Sequence, residues 1–255
     1  MKIFLQDMIE NLRFEDLPLA WNTFDLESFS KDKRLWDYQQ NALKNAIKVL
    51  WKYFEDFADY KEKENLEING ERKKDFFKWY QDNGLEEDLD IRLEGIKRDA
   101  YNLLMEYYPQ DNGKIPYKHF INRMSFWMAT GSGKTLVMVK LIEILFQLSQ
   151  LKPEEGGIPK NDILILAPKP KILEQIKEQI SIFNQKNDLQ IDLRELKDWE
   201  KHKRSKPNLY EENRITVFYY NSFNIKHAGI DTANETLYSN YLHGIDENGF
   251  QYGSW

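Results

Sequence analysis

Apolar residues recur at steps of three and four over three stretches of the chain, and this spacing predicts amphipathic helices. The stretches are residues 38–54, 136–151 and 172–183, the last with Pro170 near its first turn. In the second helix the polar residues form one narrow stripe of Lys140, Glu143, Gln147 and Gln150. We therefore expect that helix to pack against a sheet and to expose only one edge to water.

Short apolar runs between the helices predict strands. Residues 124–128 predict a short buried strand, and residues 163–167 form a continuous apolar run that is typical of a parallel strand buried on both faces. Residues 189–193 and 215–220 predict two further strands. Because strands and helices alternate, the sequence predicts an α/β fold with a doubly wound, mostly parallel sheet.

Composition divides the chain into three parts. These are an N-terminal segment with the first helix (1–58), an acidic, mostly helical insertion (59–112) and the α/β core (113–255). The insertion contains a further helical pattern over residues 93–107, which the turn-forming residues 109–113 end. Two interpretations of the insertion stay open, a solvated helical hairpin and a surface that docks a protein partner.

The charge of the chain is distributed unevenly. The net charge is −6, which is unfavourable for a simple nucleic-acid binder. Residues 55–111 alone hold 9 basic and 17 acidic side chains, a net of −8, so the rest of the chain is close to neutral. Contact with nucleic acid is therefore allowed, although charge gives it no positive support.

Composition also bounds the compartment and the metal chemistry. Cysteine is absent, which excludes disulfides and thiolate metal sites and is expected of a cytoplasmic protein. The N-terminus lacks the apolar core of a signal peptide, and Lys140 and Glu143 interrupt the most apolar stretch, so no membrane span is expected. The histidines show no ligand spacing and are interpreted as surface or loop residues: His119, His202, His227 and His243.

A phosphate-binding loop connects the predicted strand at 124–128 to the helix at 136–151. Its residues are Ala129, Thr130, Gly131, Ser132, Gly133, Lys134 and Thr135. Glycines let a backbone wrap closely around phosphates, a lysine here reaches the β- and γ-phosphates, and the threonine hydroxyl holds Mg²⁺. The helix that follows directs its positive N-terminal end at the same anion. The alternative, a glycine-rich turn that contains Lys-Thr by chance, is disfavoured by the order of strand, loop and helix.

Three segments together resemble the ATPase domain of superfamily two DNA helicases, and in particular the helicase (Res) subunit of type III restriction enzymes. Leu35-Trp36-Asp37-Tyr38-Gln39 is similar to the glutamine motif of that family. The loop and residues 126–128 before it are similar to motif I, with Met128-Ala129 in place of the usual leading glycine. Residues 164–170, followed by Leu173-Glu174-Gln175, are similar to motif Ia.

The resemblance implies a P-loop (RecA-like) fold that binds ATP with Mg²⁺, in which Lys134 and Thr135 are catalytic residues. It implies that Gln39 reads the adenine edge, a task that suits a carboxamide because this group both donates and accepts hydrogen bonds. Trp36 or Tyr38 would then lie against the base.

The resemblance also assigns a nucleic-acid contact to the end of the strand at 163–167. Pro168, Lys169 and Lys171 would hold the backbone of DNA, with help from the amides at the start of the following helix. The alternative for these lysines is simple solvation. The implied partners are double-stranded DNA, a second motor domain and a modification (methyltransferase) subunit of a restriction–modification system.

Hydrolysis of ATP requires an acidic group for Mg²⁺ and a second group that positions the attacking water. In the family both belong to an acidic motif that ends an apolar strand, and no acidic pair in this sequence follows such a strand. We therefore expect a fragment of the first motor domain, truncated before that motif, that binds ATP and is impaired in hydrolysis. Two other classes stay open: a non-catalytic nucleotide-binding or protein-docking module, and a P-loop kinase, which the strand at 163–167 disfavours.

Overall fold

The computed structural model of the chain describes residues 9–56, 91–107, 110–115, 124–152, 155–167, 169–199, 201–202, 210–211 and 213–221. Within these ranges the α-helices are α1 (Leu19–Asn22), α2 (Asp37–Trp51), α3 (Arg98–Tyr107), α4 (Lys134–Ser149) and α5 (Pro170–Lys186). The strands are β1 (Ser28–Ser30), β2 (Lys33–Arg34), β3 (Ile91–Arg92), β4 (Lys114–Ile115), β5 (Ile163–Ala167), β6 (Gln190–Glu195), β7 (Tyr210–Glu211) and β8 (Arg214–Asn221). The predicted helices at 38–54, 136–151 and 172–183 are confirmed, and α2 continues as a wider helical turn at Lys52–Asp56.

A mostly parallel sheet forms around β8. β5 and β6 flank this strand in parallel, so that Ile163 lies opposite Val217 and Ile191 lies opposite Ile215. β7 pairs with β8 in the antiparallel direction. The connection from β5 through α5 to β6 is the long crossover that parallel strands require. The α/β class and the strands predicted at 163–167, 189–193 and 215–220 are thereby confirmed.

Two expectations about strands are wrong. Residues 124–128 form no strand, and Trp127 is 95% exposed. A strand needs a neighbour for its backbone hydrogen bonds, and no strand among the described residues pairs with this segment. β5 forms as predicted but is not buried on both faces, because Leu166 is 45% exposed on the outermost strand of the described sheet.

One hydrophobic core joins α2, α4 and α5 to one face of the sheet. Ile215 and Val217 belong to this core, since alternate side chains of a strand point to the same face. On the opposite face the ring of His202 packs edge-to-face on Phe218, and its Nε2 lies 3.2 Å from Thr216 Oγ1. The interpretation of His202 as a surface or loop residue is therefore wrong, because it is buried over this second face. The other histidines lie outside the described residues.

The N-terminal segment, whose sequence shows no clear period, contributes large side chains to the same core. Trp21 and Phe29 are fully buried. Phe29 belongs to a short β1–β2 hairpin beside α5, where its ring meets Phe183 edge-to-face at 5.7 Å. Asn187 Nδ2 donates to the Phe29 carbonyl at 3.1 Å. These contacts hold the hairpin that precedes α2 against α5.

The described end of the acidic insertion is a small antiparallel pair, β3 with β4, that brackets α3. Asn112 and Gly113 hold φ of 48° and 74°, which defines a tight turn of the kind favoured by Asn-Gly. The predicted helix over 93–107 begins only at Arg98, because Glu94 and Gly95 form a turn and Leu93 donates its amide to the Gly113 carbonyl. The remaining residues of the predicted insertion, 59–90 and 108–109, lie outside the described residues.

Candidate functional site

The predicted phosphate-binding loop leads directly into α4. Gly131 and Gly133 hold φ of 80° and 78°, in the left-handed region that favours glycine. Gly133 is the last residue before the helix, and its carbonyl accepts a hydrogen bond from the amide of Leu136 at 2.9 Å. The first N–H groups of a helix have no partner within it, so this arrangement presents backbone donors in front of α4.

The ammonium of Lys134 folds back over the loop. Lys134 Nζ donates to the carbonyl oxygens of Met128 and Ala129, each at 2.8 Å, and the residue is exposed to solvent. These two hydrogen bonds close residues 128–134 into a ring with the cation on its surface. An anion that reaches the front of α4 therefore meets a lysine already held at the loop.

The hydroxyl residues of the loop differ in burial. Thr130 is exposed and Thr135 is half-buried. Ser132 Oγ is buried and has no hydrogen-bond partner within the part of the chain that the structure describes. A buried hydroxyl without a partner is uncommon in proteins, and this one lies within the glycine loop itself.

The start of α2 contacts the loop at a single carbonyl. Tyr38 Oη donates to the Ser132 carbonyl at 2.9 Å, and Gln39 Nε2 donates to the same oxygen at 2.7 Å. Gln39 Oε1 accepts a hydrogen bond from the amide of Trp36 at 2.9 Å, and the residue is only 1% exposed. The glutamine expected to read adenine thus also caps its own helix and joins that helix to the loop.

Close packing at Gly133 results from the same contact. A Cβ atom at this position would lie 2.5 Å from Gln39 Nε2, closer than real Cβ atoms approach a neighbour. At Gly131 a Cβ atom would meet nothing within 4 Å. Gly133 therefore needs both its left-handed φ and the absence of a side chain, whereas Gly131 needs only the first.

Exposed aromatic side chains lie at the start of α2 and just before the loop. Trp36 is 72% exposed and Tyr38 is 49% exposed. Either of the two aromatic rings is therefore accessible to a base. Trp127 is a further exposed aromatic, although the apolar run around it predicts a buried strand. Its exposure could not be predicted, because an apolar run before a glycine loop is ordinarily a strand of the sheet.

The two lysines expected to contact DNA lie at the start of α5. Lys169 immediately precedes the helix in an extended conformation, Pro170 is its first residue, and Lys171 follows. Both lysines are exposed. Pro168, the third residue expected at this contact, lies outside the described residues.

A buried charge cluster lies on α4, on the stripe that was expected to face water. Lys140 is 4% exposed, and its Nζ lies 2.7 Å from Glu143 Oε2. Burial raises the pKa of Glu143, although the charge of Lys140 opposes this effect. Burial also acts to raise the pKa of Asp25, but hydrogen bonds from Ser28 and the charge of Lys140 outweigh it, so that this pKa is lowered. The expectation that this edge of α4 faces water is therefore wrong for Lys140 and Glu143, whereas Gln147 and Gln150 are exposed.

The parallel sheet and the glycine loop at the start of α4 define a P-loop α/β protein. Residues 32–247 match the family model of the type III restriction enzyme, res subunit. The chain belongs to this family, and the matched region is a helicase-type motor domain. No curated protein and no solved structure shows significant similarity to the chain.

Among the described residues no group of three or more His, Cys, Asp or Glu side chains is arranged to hold a metal ion. None of the helices in the described ranges is both long and apolar enough to cross a membrane.

Proposed function

We propose that this chain forms the ATP-binding part of the first motor domain of a DNA helicase or translocase in a restriction–modification system, with a RecA-like fold. The observation that carries the proposal is the loop geometry. Gly131 and Gly133 at positive φ lead into α4, and Lys134 is the first residue of that helix. Family membership and the parallel sheet support the same conclusion.

The residues of the loop suit Mg-ATP chemically. At Gly131 the space that a side chain would take is open, so phosphate oxygens can approach the backbone. Lys134 would exchange its two carbonyl partners for oxygens of the β- and γ-phosphates, and Thr135 would hold Mg²⁺. Bound Mg-ATP supplies the phosphoanhydride bond whose cleavage drives a motor of this class.

Removal of the lysine tests this proposal directly. We expect Lys134→Ala to weaken Mg-ATP binding by about ten- to a hundredfold, because a charged hydrogen-bond partner contributes about 1.5–3 kcal/mol. Isothermal titration of the full chain with Mg-ATP measures the change. Lys160→Ala is the matched control, since Lys160 is also exposed but lies outside the loop.

The proposal extends to DNA through the start of α5. Lys169 and Lys171 are both exposed there, and the positive end of the helix dipole favours an anion such as a backbone phosphate. We propose that double-stranded DNA lies against this helix end. The adenine contact of Gln39 and the base contact of Trp36 or Tyr38 belong to the same proposal.

A further inference from the structure

The hydroxyl of Tyr38 donates a hydrogen bond to the phosphate-binding loop. This contact gives the residue a role besides any contact with a base. Its Oη lies 2.9 Å from the Ser132 carbonyl oxygen, which Gln39 Nε2 also contacts at 2.7 Å. A carbonyl oxygen has two lone pairs, so these two donors saturate it. Both donors come from the first turn of α2, whose Leu43 and Ile47 are buried in the core.

The orientation of this carbonyl determines where the next amide points. In a planar trans peptide the C=O and the following N–H point in opposite directions. A Ser132 carbonyl held toward α2 therefore directs the Gly133 N–H away from α2 and toward the front of the loop. That N–H is one of the backbone donors that would meet phosphate.

Nothing in the local backbone fixes this peptide by itself. Gly133 can adopt both positive and negative φ at little cost, so the Ser132–Gly133 peptide could otherwise rotate. Gln39 is itself fixed, because its Oε1 accepts the Trp36 amide at 2.9 Å. The hydroxyl of Tyr38 is the second restraint on the same peptide.

We propose that Tyr38 is a positioning residue for phosphate: its hydroxyl, together with Gln39, holds the Ser132–Gly133 peptide so that the Gly133 N–H faces the phosphates of a bound nucleotide. This inference rests on the proposed function, since it assumes that the loop binds phosphate. It separates two roles of one side chain, because the ring is available to a base and the hydroxyl is committed to the loop.

Tyr38→Phe tests the hydroxyl alone, because it keeps the ring. The probes are Mg-ATP and Mg-tripolyphosphate, which has no base, titrated into the full-length chain. We expect Tyr38→Phe to weaken both by a similar factor of about three to ten, the worth of one hydrogen bond. Tyr101→Phe is the matched control, since Tyr101 is an exposed tyrosine on α3.

A second measurement needs no nucleotide. The ¹⁵N-labelled amide of Gly133 should give one sharp NMR signal in the wild type and a broadened or doubled signal in Tyr38→Phe, because the peptide gains a second orientation. A change confined to Mg-ATP, with tripolyphosphate binding unaltered, would assign Tyr38 to the base and overturn the inference. Wild-type affinity and a single Gly133 signal in Tyr38→Phe would also overturn it.

The failure of this inference can be told apart from the failure of the proposed function. If the wild type binds Mg-ATP and Lys134→Ala does not, while Tyr38→Phe behaves as wild type, only the positioning role is wrong. If the wild type binds neither probe, the proposed function and the positioning role are both wrong.

Discussion

At the scale of single residues, the two loop glycines have the same backbone angle and different surroundings. Gly131 has open space beside it, whereas Gly133 lies against the carboxamide of Gln39. A sequence motif treats the two glycines alike, because it records residue types and not neighbours. The contact with Gln39 was not predictable, since the glutamine and the loop are separated by 93 positions in the chain.

This difference predicts unequal effects of alanine. Gly131→Ala should cost about 1–2 kcal/mol through its positive φ alone. Gly133→Ala should cost more, because the new methyl group must displace Gln39 Nε2 from the Ser132 carbonyl. Thermal unfolding of both variants measures the difference.

A double-mutant cycle with Gln39→Ala isolates the steric clash between a methyl group at position 133 and the Gln39 side chain. Gly133→Ala should cost less in the Gln39→Ala background than in the wild type, because the clashing group is gone. Gly131→Ala should cost the same in both backgrounds. Equal costs of the two glycine variants, or no coupling to Gln39, would contradict the contact.

At the scale of elements, periodicity located the helices and the three parallel strands, because these segments are long and their burial is regular. It failed at residues 124–128, where strand formation depends on a neighbouring strand and not on the segment itself. It failed again at the polar stripe of α4, because a helical period shows which residues share a face and not what covers that face. Lys140 lies near enough to Asp25, a residue of the N-terminal segment, for its positive charge to help lower the pKa of that carboxyl group.

The buried pair on α4 predicts a particular mutational pattern. Lys140→Met alone should destabilise the fold by about 3–5 kcal/mol, because it leaves the Glu143 carboxylate buried without its cation. The double variant Lys140→Met/Glu143→Leu should recover most of this loss, since an apolar pair of similar volume replaces both charges. Urea unfolding at neutral pH measures both. A single variant as stable as the wild type would show that the pair is not buried.

The same pair gives a pH dependence with a defined sign. The pKa of Glu143 is raised on folding, so the folded chain holds this proton more tightly than the unfolded chain does. The stability that Glu143 contributes is therefore fully present below its ordinary value of 4.5 and is lost as the pH rises through the folded pKa. Replacement of Glu143 by Gln should therefore make the free energy of unfolding less dependent on pH over that range.

At the scale of the whole molecule, the acidic net charge means that the proposed DNA contact must rest on local cationic side chains. We expect the double variant Lys169→Ala/Lys171→Ala to weaken binding of double-stranded DNA and to reduce its salt dependence, because two phosphate contacts and their released counterions are lost. Binding measured by fluorescence anisotropy over a series of salt concentrations tests this. Lys160→Ala should keep the wild-type salt slope, and Mg-ATP affinity should stay unchanged in the double variant.

A salt slope that the double variant shares with the wild type would move the DNA contact away from α5. It would leave the nucleotide site unaffected, because the loop and the lysines belong to different elements. Motif I assigns a task to each residue of the loop, since each of its residue types has one chemical role, and these assignments stay predictions. Motif Ia predicted only exposed charge, because a lysine can contact phosphate or water equally well.

Isothermal titration of the full chain with Mg-ATP shows whether the glycine loop of this family member binds nucleotide through Lys134. We expect saturable binding in the wild type and in Lys160→Ala, and a loss of about ten- to a hundredfold in Lys134→Ala. The absence of binding in the wild type, or equal affinity in Lys134→Ala, would contradict this expectation.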